Sequence, residues 1–279
     1  MSSAGRRGIG VFDSGLGGLT VAREVLRRLP NEPLIYFADN AYVPYGPRPM
    51  EQIREFAEGI IRFLDGQGAK VIIAGCNMSS AILWESGPPE AEVPIVELLS
   101  GAAREAALVT RNRRVGVIAT EGTVASGAYP GAIWREGPDV EVFQQACPSL
   151  VPLVEQGELE SKGAVAEVER YLAPLLDEGI DTLVLGCTHY PLLEPVIRRI
   201  AGDEVRLVDP AHAVAERVVR MAGIGGTQET SPNGRPHLIF ASGNPAPVAA
   251  FARTYLGLGA VSTARVDAHA QPAARSAPD

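Results

Sequence analysis

The sequence predicts an α/β protein made of two similar, pseudo-symmetric domains with mostly parallel sheets. Three observations support this prediction. Short apolar segments alternate with segments of helical periodicity, the 279 residues are enough for two domains, and one strand-and-turn pattern occurs in both halves of the chain. Because ligands of open α/β sheets bind beyond the carboxyl ends of the strands, we expect the active-site cleft between the two domains.

Apolar segments of strand length occur along the whole chain. They are Ile9–Phe12, Leu34–Phe37, Val71–Ala74, Ile95–Leu98, Val115–Ala119, Val140–Phe143, Thr182–Leu185, Arg206–Val208 and Leu238–Ala241. Segments of helical periodicity lie between most of them, for example Leu19–Leu29, Glu51–Leu64, Gly163–Leu176 and Pro191–Ile200. This alternation is typical of βαβ units, whose successive strands run parallel.

An internal repeat places one cysteine at the end of a strand in each half of the chain. Val71–Asn77 is similar to Thr182–Thr188, and both contain a Gly-Cys pair directly after the apolar strand. The two cysteines lie 63 residues after Asp13 and 64 residues after Thr123, which follow earlier strands. We therefore expect both cysteines at equivalent strand ends, facing the same cleft.

The repeat also predicts how the chain divides into domains. Residues 1–100 together with 209–261 are expected to form the first α/β domain, and residues 101–208 the second. From 262 to 279 the sequence is rich in Ala, Pro and Ser and has no periodicity, which predicts a flexible tail.

Charge and composition exclude several classes of function. The net charge is −8 and no long Lys/Arg run occurs, which argues against nucleic-acid or anionic-membrane binding. No apolar segment reaches transmembrane length, and the three cysteines form no CxxC pair. Neither Lys70 nor Lys162, the only lysines, is well placed for a pyridoxal phosphate Schiff base. We expect a cytoplasmic protein with a small-molecule substrate, no cofactor and no metal.

Cys76 and Cys187 each lie between a strand end and a predicted helix N-terminus, with Asn77 and Thr188 as expected helix caps. This position favours the thiolate form. A single free cysteine is more often a small buried hydrophobe, but the matched positions in the repeat favour a functional pair. Cys147 has no repeat partner and is interpreted as structural.

Two thiols on opposite walls of a cleft are suited to two-base racemisation. One thiolate removes a proton from one face of a carbon while the other thiol returns a proton to the opposite face. Backbone amides after each cysteine would stabilise the carbanion-like charge. A zinc site of Cys76, Cys187 and His189 is an alternative, although the spacing matches no common zinc pattern.

Segments found in order along the chain resemble the glutamate racemase family. They are Val11–Val21, Tyr36–Asp39 with Pro44-Tyr45-Gly46, Gly75-Cys76-Asn77, Ala146–Pro152 and Leu185–Leu193. The resemblance extends to about Gly257. It implies a cofactor-independent isomerase of two α/β domains that interconverts L- and D-glutamate and supplies D-glutamate for peptidoglycan, and thus for cell-wall biogenesis and cell shape. A homodimer is the expectation at the level of the family.

The resemblance also implies roles for single residues. Cys76 would act on the D-enantiomer and Cys187 on the L-enantiomer, while Asp13 and His189 would assist proton transfer and Glu155 would lie near His189. The residues implied to contact substrate are Asp13, Ser14, Tyr45, Gly46, Asn77, Met78, Thr123, Thr188 and His189. Read from the residues alone, Asp13 is equally compatible with a turn, and Glu155 with a solvated helix position.

Two positions depart from the family pattern. Met78 stands where the family usually has Thr after Cys-Asn, which leaves the backbone N–H but removes a hydroxyl donor worth roughly 1.5–3 kcal/mol to a charged partner. Tyr42 stands where relatives often carry Arg. Met78 keeps two alternatives open: a racemase of another acidic amino acid such as aspartate, and a non-catalytic ligand-binding relative.

Overall fold

The computed structural model describes residues 8–224, 236–259 and 261–269, whose strands form two parallel sheets. The first sheet contains β1 (Gly8–Asp13), β2 (Leu34–Ala38), β3 (Ala69–Ala74), β4 (Ile95–Glu97), β9 (His237–Ala241) and β10 (Val261–Arg265). The second contains β5 (Arg114–Ala119), β6 (Glu141–Ala146), β7 (Thr182–Gly186) and β8 (Arg206–Val208). All nine strands predicted from the sequence are present.

The strand order confirms the internal repeat. The first sheet has the order β10-β9-β2-β1-β3-β4 and the second β6-β5-β7-β8. The arrangement β2-β1-β3-β4 therefore has the same connectivity as β6-β5-β7-β8, and β9 and β10 extend the first sheet only. As a result β3 and β7, the strands that precede the two cysteines, occupy equivalent positions beside β1 and β5.

Helices connect most of the strands. They are α1 (Gly18–Arg28), α2 (Met50–Gly66), α3 (Asn77–Ser86), α4 (Leu99–Val109), α5 (Glu121–Ser126), α6 (Ala128–Glu136), α7 (Leu150–Glu155), α8 (Lys162–Asp177), α9 (Glu194–Ala201), α10 (Pro210–Ile224) and α11 (Pro245–Leu256). Thr120 and Ser161 cap α5 and α8 by accepting a backbone N–H of the first turn. No helix within the described ranges has the length and apolar character needed to span a membrane.

The segment predicted as one helix at Pro191–Ile200 is divided in the structure. A short 3-10 helix covers Tyr190–Leu193, and α9 begins at Glu194 with Pro195 in its first turn. Proline has no N–H for a helix interior but fits the first turn, so the chain starts a new helix at this point.

One apolar core continues from the first sheet into the second. It contains Val11 of β1, Val117 of β5 and Val184 of β7, with Tyr129 of α6 and Val214 of α10 packed against them. A second core lies under α8 and α9, and a third lies between the first sheet and α2. The shared core fixes the two sheets relative to each other, which positions the ends of β1, β3 and β7.

The C-terminal segment differs from the expected tail. Val261–Arg265 form β10, which pairs in parallel with β9 at the edge of the first sheet, and His269 contacts Asp39. Four of the five residues of β10 are exposed, so this edge strand lacks the apolar pattern that reveals a buried one. Residues 270–279 lie outside the described residues.

A leucine pair tests the core under α8. Leu172 of α8 is 1% exposed, whereas Leu108 of α4 is 74% exposed. We expect Leu172→Ala to lower the free energy of unfolding by about 2–5 kcal/mol, because it leaves a cavity. The matched control Leu108→Ala should change it by less than about 0.5 kcal/mol. Urea unfolding followed by circular dichroism measures both, and equal effects would contradict this packing.

Candidate active site

The two cysteines lie at the carboxyl ends of equivalent strands. Cys76 directly precedes α3 and is followed by its first turn, while Cys187 follows β7 and precedes the 3-10 helix. Both thiols are buried and free. The Sγ atom of Cys76 lies 4.0 Å from the Oγ atom of Ser14, in the loop after β1. The thiols, this loop and the start of α3 thus form one site at the carboxyl edges of the sheets.

Cys76 lies in an environment that favours its protonated form. Burial raises the pKa of the Cys76 thiol to about 12, and the negative charges of Asp13 and of a Cys187 thiolate act in the same direction. The backbone N–H groups of Ser79 and Met78, at the start of α3, lower this pKa only in part. Cys76 is therefore a thiol at neutral pH, contrary to the thiolate expected from its position before a helix, because burial outweighs the helix N-terminus.

Cys187 lies beside an imidazole with a strongly perturbed pKa. Its Sγ atom is 3.8 Å from Nδ1 of His189, whose Nε2 atom lies 3.4 Å from Oε1 of Glu155, an ion-pair distance. Burial disfavours the imidazolium, but Cys187, Glu155 and Asp13 together outweigh it and raise the pKa of His189 to about 10. A positive charge therefore lies next to Cys187 at neutral pH.

Asp13 connects the two halves of the site. Its buried carboxylate accepts hydrogen bonds from the backbone N–H of Gly15 at 2.7 Å and from the hydroxyl of Thr188 at 3.3 Å. Burial raises the pKa of Asp13, and the charge of His189 opposes this shift. Thr188 was expected to cap a helix, but its hydroxyl is used in this bond, which joins the loop after β1 to the loop after β7.

The loop after β7 lies unusually close to the start of α1. A Cβ atom added at Gly17 would lie 2.2 Å from Oγ1 of Thr188 and 2.8 Å from the ring of His189, so only glycine fits this position. The hydroxyl of Thr20 donates to the backbone carbonyl of Thr188 at 2.9 Å. Sequence reasoning missed the contacts of Gly17 and Thr20 with this loop, although the Gly-rich segment after a strand was the available signal.

Asn77 presents an unpartnered amide donor. The sequence predicted Asn77 as a helix cap, and this prediction is wrong. Asn77 is the first residue of α3, and Cys76 occupies the N-cap position. The hydroxyl of Tyr129 donates to Oδ1 of Asn77 at 2.6 Å, so the side-chain oxygen of Asn77 is already in use. Nδ2 is buried and has no hydrogen-bond partner within the part of the chain that the structure describes. A buried amide N–H without a partner is suited to bind an anionic group.

Three segments meet at one edge of the site. A Cβ atom added at Gly122, in α5, would lie 2.8 Å from the carbonyl oxygen of Gly46 and 2.9 Å from Sδ of Met78. The hydroxyl of Tyr45 donates to Oδ2 of Asp39 at 2.5 Å, so this hydroxyl is already engaged within the protein. Thr123, also in α5, is buried, and its backbone N–H donates to the hydroxyl of Thr120.

Two of the residues considered from the sequence lie at or beyond the margin of the site. Glu155 is exposed and reaches the site only through His189. Cys147 is buried, its thiol donates to the carbonyl of Gln145, and its own carbonyl accepts the hydroxyl of Tyr190 at 3.1 Å. Among residues 8–224, 236–259 and 261–269, no group of three or more His, Cys, Asp or Glu side chains has a metal-binding arrangement.

Sequence comparison identifies the family. The profile of the Asp/Glu/hydantoin racemases matches residues 9–218. The chain belongs to this family. It is 44% identical to the glutamate racemase of Geobacter metallireducens over 253 residues, which cover 90% of this chain and 93% of that protein. The racemase family consists of isomerases, and this chain is one of them.

Solved structures of the same family share the fold. Glutamate racemase isoform RacE1 of Bacillus anthracis is 34% identical, with a TM-score of 0.86 and coverage of 94% of this chain and 97% of that one. The Francisella tularensis glutamate racemase in complex with D-glutamate is 30% identical, with a TM-score of 0.83 and coverage of 94% and 98%. These two racemases confirm the two-domain α/β fold predicted from the sequence.

The ion pair between His189 and Glu155 predicts a measurable pKa change. Glu155→Gln removes a negative charge beside the imidazole, so the pKa of His189 should fall from about 10 towards 6.5. NMR titration of the labelled imidazole measures this shift. Glu158→Gln, at an exposed position of the same segment, is the matched control and should leave the titration unchanged.

The same pKa shift predicts how stability depends on pH. The pKa of His189 is higher in the folded than in the unfolded chain, so its contribution to stability is complete below pH 6.5 and is lost as the pH rises through about 10. Glu155→Gln should therefore reduce stability more at pH 6 than at pH 10.5. The same loss at both pH values would contradict the ion pair.

Proposed function

We propose that the protein racemises glutamate by proton transfer at Cα between two cysteine thiols, without a cofactor. The observation that carries this proposal is the pair of buried thiols at equivalent strand ends, one beside Asp13 and one beside a charged His189. The activity named for relatives over most of the chain length, and the D-glutamate in the Francisella structure, support glutamate as the substrate.

In the direction from L- to D-glutamate, Cys187 is the base. Its thiolate removes the Cα proton of L-glutamate, and the Cys76 thiol delivers a proton to the opposite face of the carbanion-like centre. The high pKa of Cys76 suits this role, because the group must be protonated when the substrate binds. In the reverse direction the two thiols exchange roles, with Cys76 as the base for D-glutamate. His189 and Asp13 stabilise the alternative protonation states of the adjacent thiols.

Donors around the thiols provide the contacts for the substrate. The unpartnered Nδ2 of Asn77 and the backbone N–H groups at the start of α3 bind one carboxylate in this proposal. The backbone amides of the Tyr45-Gly46 turn bind the other. Ser14 and Thr123 add hydroxyl groups, and Thr188, whose hydroxyl donates to Asp13, contributes its backbone N–H. Carbanion character at Cα is stabilised when these donors hold the α-carboxylate, since the developing charge spreads onto its oxygens.

The proposal extends to the organisation and role of the protein. The grouping of strands into two sheets supports a first domain of 1–100 with 209–261 and a second domain of 101–208. Strand β10 extends the sheet of the first domain at its edge. We also propose a cytoplasmic enzyme, active as a homodimer, that supplies D-glutamate for peptidoglycan.

Incubation with substrate in deuterated water tests the reaction. Purified protein without added cofactor should convert L-glutamate to the racemate and incorporate deuterium at Cα. Cys76→Ala and Cys187→Ala should each lower racemisation in both directions by about 10²–10⁴-fold, because one face of Cα loses its acid or base. Cys147→Ala is the matched control and should retain activity. Full racemisation by Cys76→Ala would contradict the two-thiol mechanism, and turnover of L-aspartate alone would contradict glutamate as substrate.

Met78 generates a second test of substrate recognition. Its side chain packs in an apolar cluster with Tyr45, Phe56 and Ile82, so it offers no hydroxyl donor at this position. We expect Met78→Thr to raise kcat/KM for glutamate by at least about tenfold, since a hydrogen bond to a charged group contributes about 1.5–3 kcal/mol. Met78→Leu preserves the size without adding a hydroxyl. A gain common to both variants would show that the hydroxyl is not its cause.

A further inference from the structure

The segment after β10 crosses the first domain and reaches the site from outside. Its path is fixed by the backbone N–H of Val266, which donates to the carbonyl of Ala241 at 2.8 Å, and by Nε of Arg265, which donates to the carbonyl of Ser242 at 3.1 Å. The segment then passes close to α2, where a Cβ atom added at Gly59 would lie 2.7 Å from the carbonyl oxygen of Ala268. His269 is thereby brought beside the loop after β2.

The ring of His269 is held between aromatic side chains. Its centroid is 4.5 Å from that of Phe56 and 4.9 Å from that of Tyr42, the latter in an edge-to-face arrangement. The side chain is only 12% exposed, and Nε2 lies 2.9 Å from Oδ1 of Asp39. A carboxylate only accepts hydrogen bonds, so Nε2 of His269 is the donor.

Asp39 connects His269 to the substrate-binding loop. Its carboxylate is fully buried, with one oxygen accepting from His269 and the other from the hydroxyl of Tyr45 at 2.5 Å. Within the described ranges, His269 is the only basic side chain that contacts this carboxylate. The backbone N–H of Asp39 also donates to the carbonyl of Asp13 at 2.9 Å, which fixes the loop to the end of β1. A buried carboxylate depends on such partners, because an unpaired charge is costly away from water.

We propose that His269 is a positioning residue for the racemisation reaction. By donating to Asp39, it holds this carboxylate where it accepts the Tyr45 hydroxyl, and so fixes the Tyr45-Gly46 turn to which the proposed function assigns a substrate carboxylate. The inference rests on the proposed function, in which this turn binds glutamate. It assigns a role in the site to a residue 224 positions after Tyr45, in a segment whose composition predicts a loose tail.

Steady-state kinetics with both glutamate enantiomers tests this role. His269→Ala should raise KM by about tenfold and change kcat by less than about threefold, because the turn binds the substrate in the ground state and the transition state alike. His269→Gln should restore a KM near that of the wild type, since its Nε2 group has a similar reach and donates a hydrogen bond. His212→Ala, at a half-exposed position of α10 on the surface, is the matched control and should not change KM.

A double-mutant cycle separates positioning from general stabilisation. If His269 acts through the Tyr45 hydroxyl, His269→Ala should raise KM by less than about twofold in a Tyr45→Phe background. A full effect of His269→Ala in that background, or an unchanged KM in the single variant, would overturn the inference. A fall in kcat with an unchanged KM would also overturn it, because that result indicates loss of folded enzyme.

Hydrogen exchange provides a test that does not depend on activity. The backbone N–H of Tyr42 donates to the carbonyl of Asp39, and that of Arg48 donates to the carbonyl of Tyr45. His269→Ala should speed exchange at these two amides by at least about tenfold while amides in β5 and β7 exchange as in the wild type. Unchanged exchange at Tyr42 and Arg48 would overturn the inference. Wild-type protein that fails to racemise glutamate would instead contradict the proposed function.

Discussion

The contact between the first turn of α1 and the loop after β7 holds the two halves of the site together. The Thr20 hydroxyl donates to the carbonyl of Thr188, and the Thr188 hydroxyl donates to Asp13. This close approach requires glycine at position 17, where any side chain would overlap Thr188 and His189. Because the two cysteines follow strands of different sheets, this contact and the shared core set the distance between the two thiols.

The charges around this contact are unevenly distributed between the two cysteines. Burial raises the pKa of both Asp13 and Cys76, whereas the imidazolium of His189 lies on the side of Cys187. The two cysteines therefore have different environments although the fold is pseudo-symmetric. The proposed reaction requires the two thiols to play opposite roles, and the surrounding charges already distinguish them.

The features that the sequence predicts correctly depend on local patterns. Buried parallel strands form continuous apolar segments, so the nine strands and the repeated Gly-Cys turn are visible without a structure. Contacts between distant segments leave no such pattern. The bond from Tyr129 to Asn77 and the contact of His269 with Asp39 join residues that are 52 and 230 positions apart. The exposed edge strand β10 was missed because it has no buried face to give it periodicity.

The backbone and the side chain of Met78 contribute to the site in different ways. The backbone N–H groups of Met78 and Ser79 act on the Cys76 thiol whatever side chain follows Asn77. The side chain packs in the apolar cluster beneath Tyr45, on the same side as Phe56, whose ring also contacts His269. Replacing a hydroxyl with a thioether therefore removes one donor but leaves the helix N-terminus intact and adds packing under the turn. The Tyr45 hydroxyl is likewise engaged, because it donates to Asp39, so the substrate contacts proposed at this edge are made by backbone amides, which a side-chain substitution cannot remove.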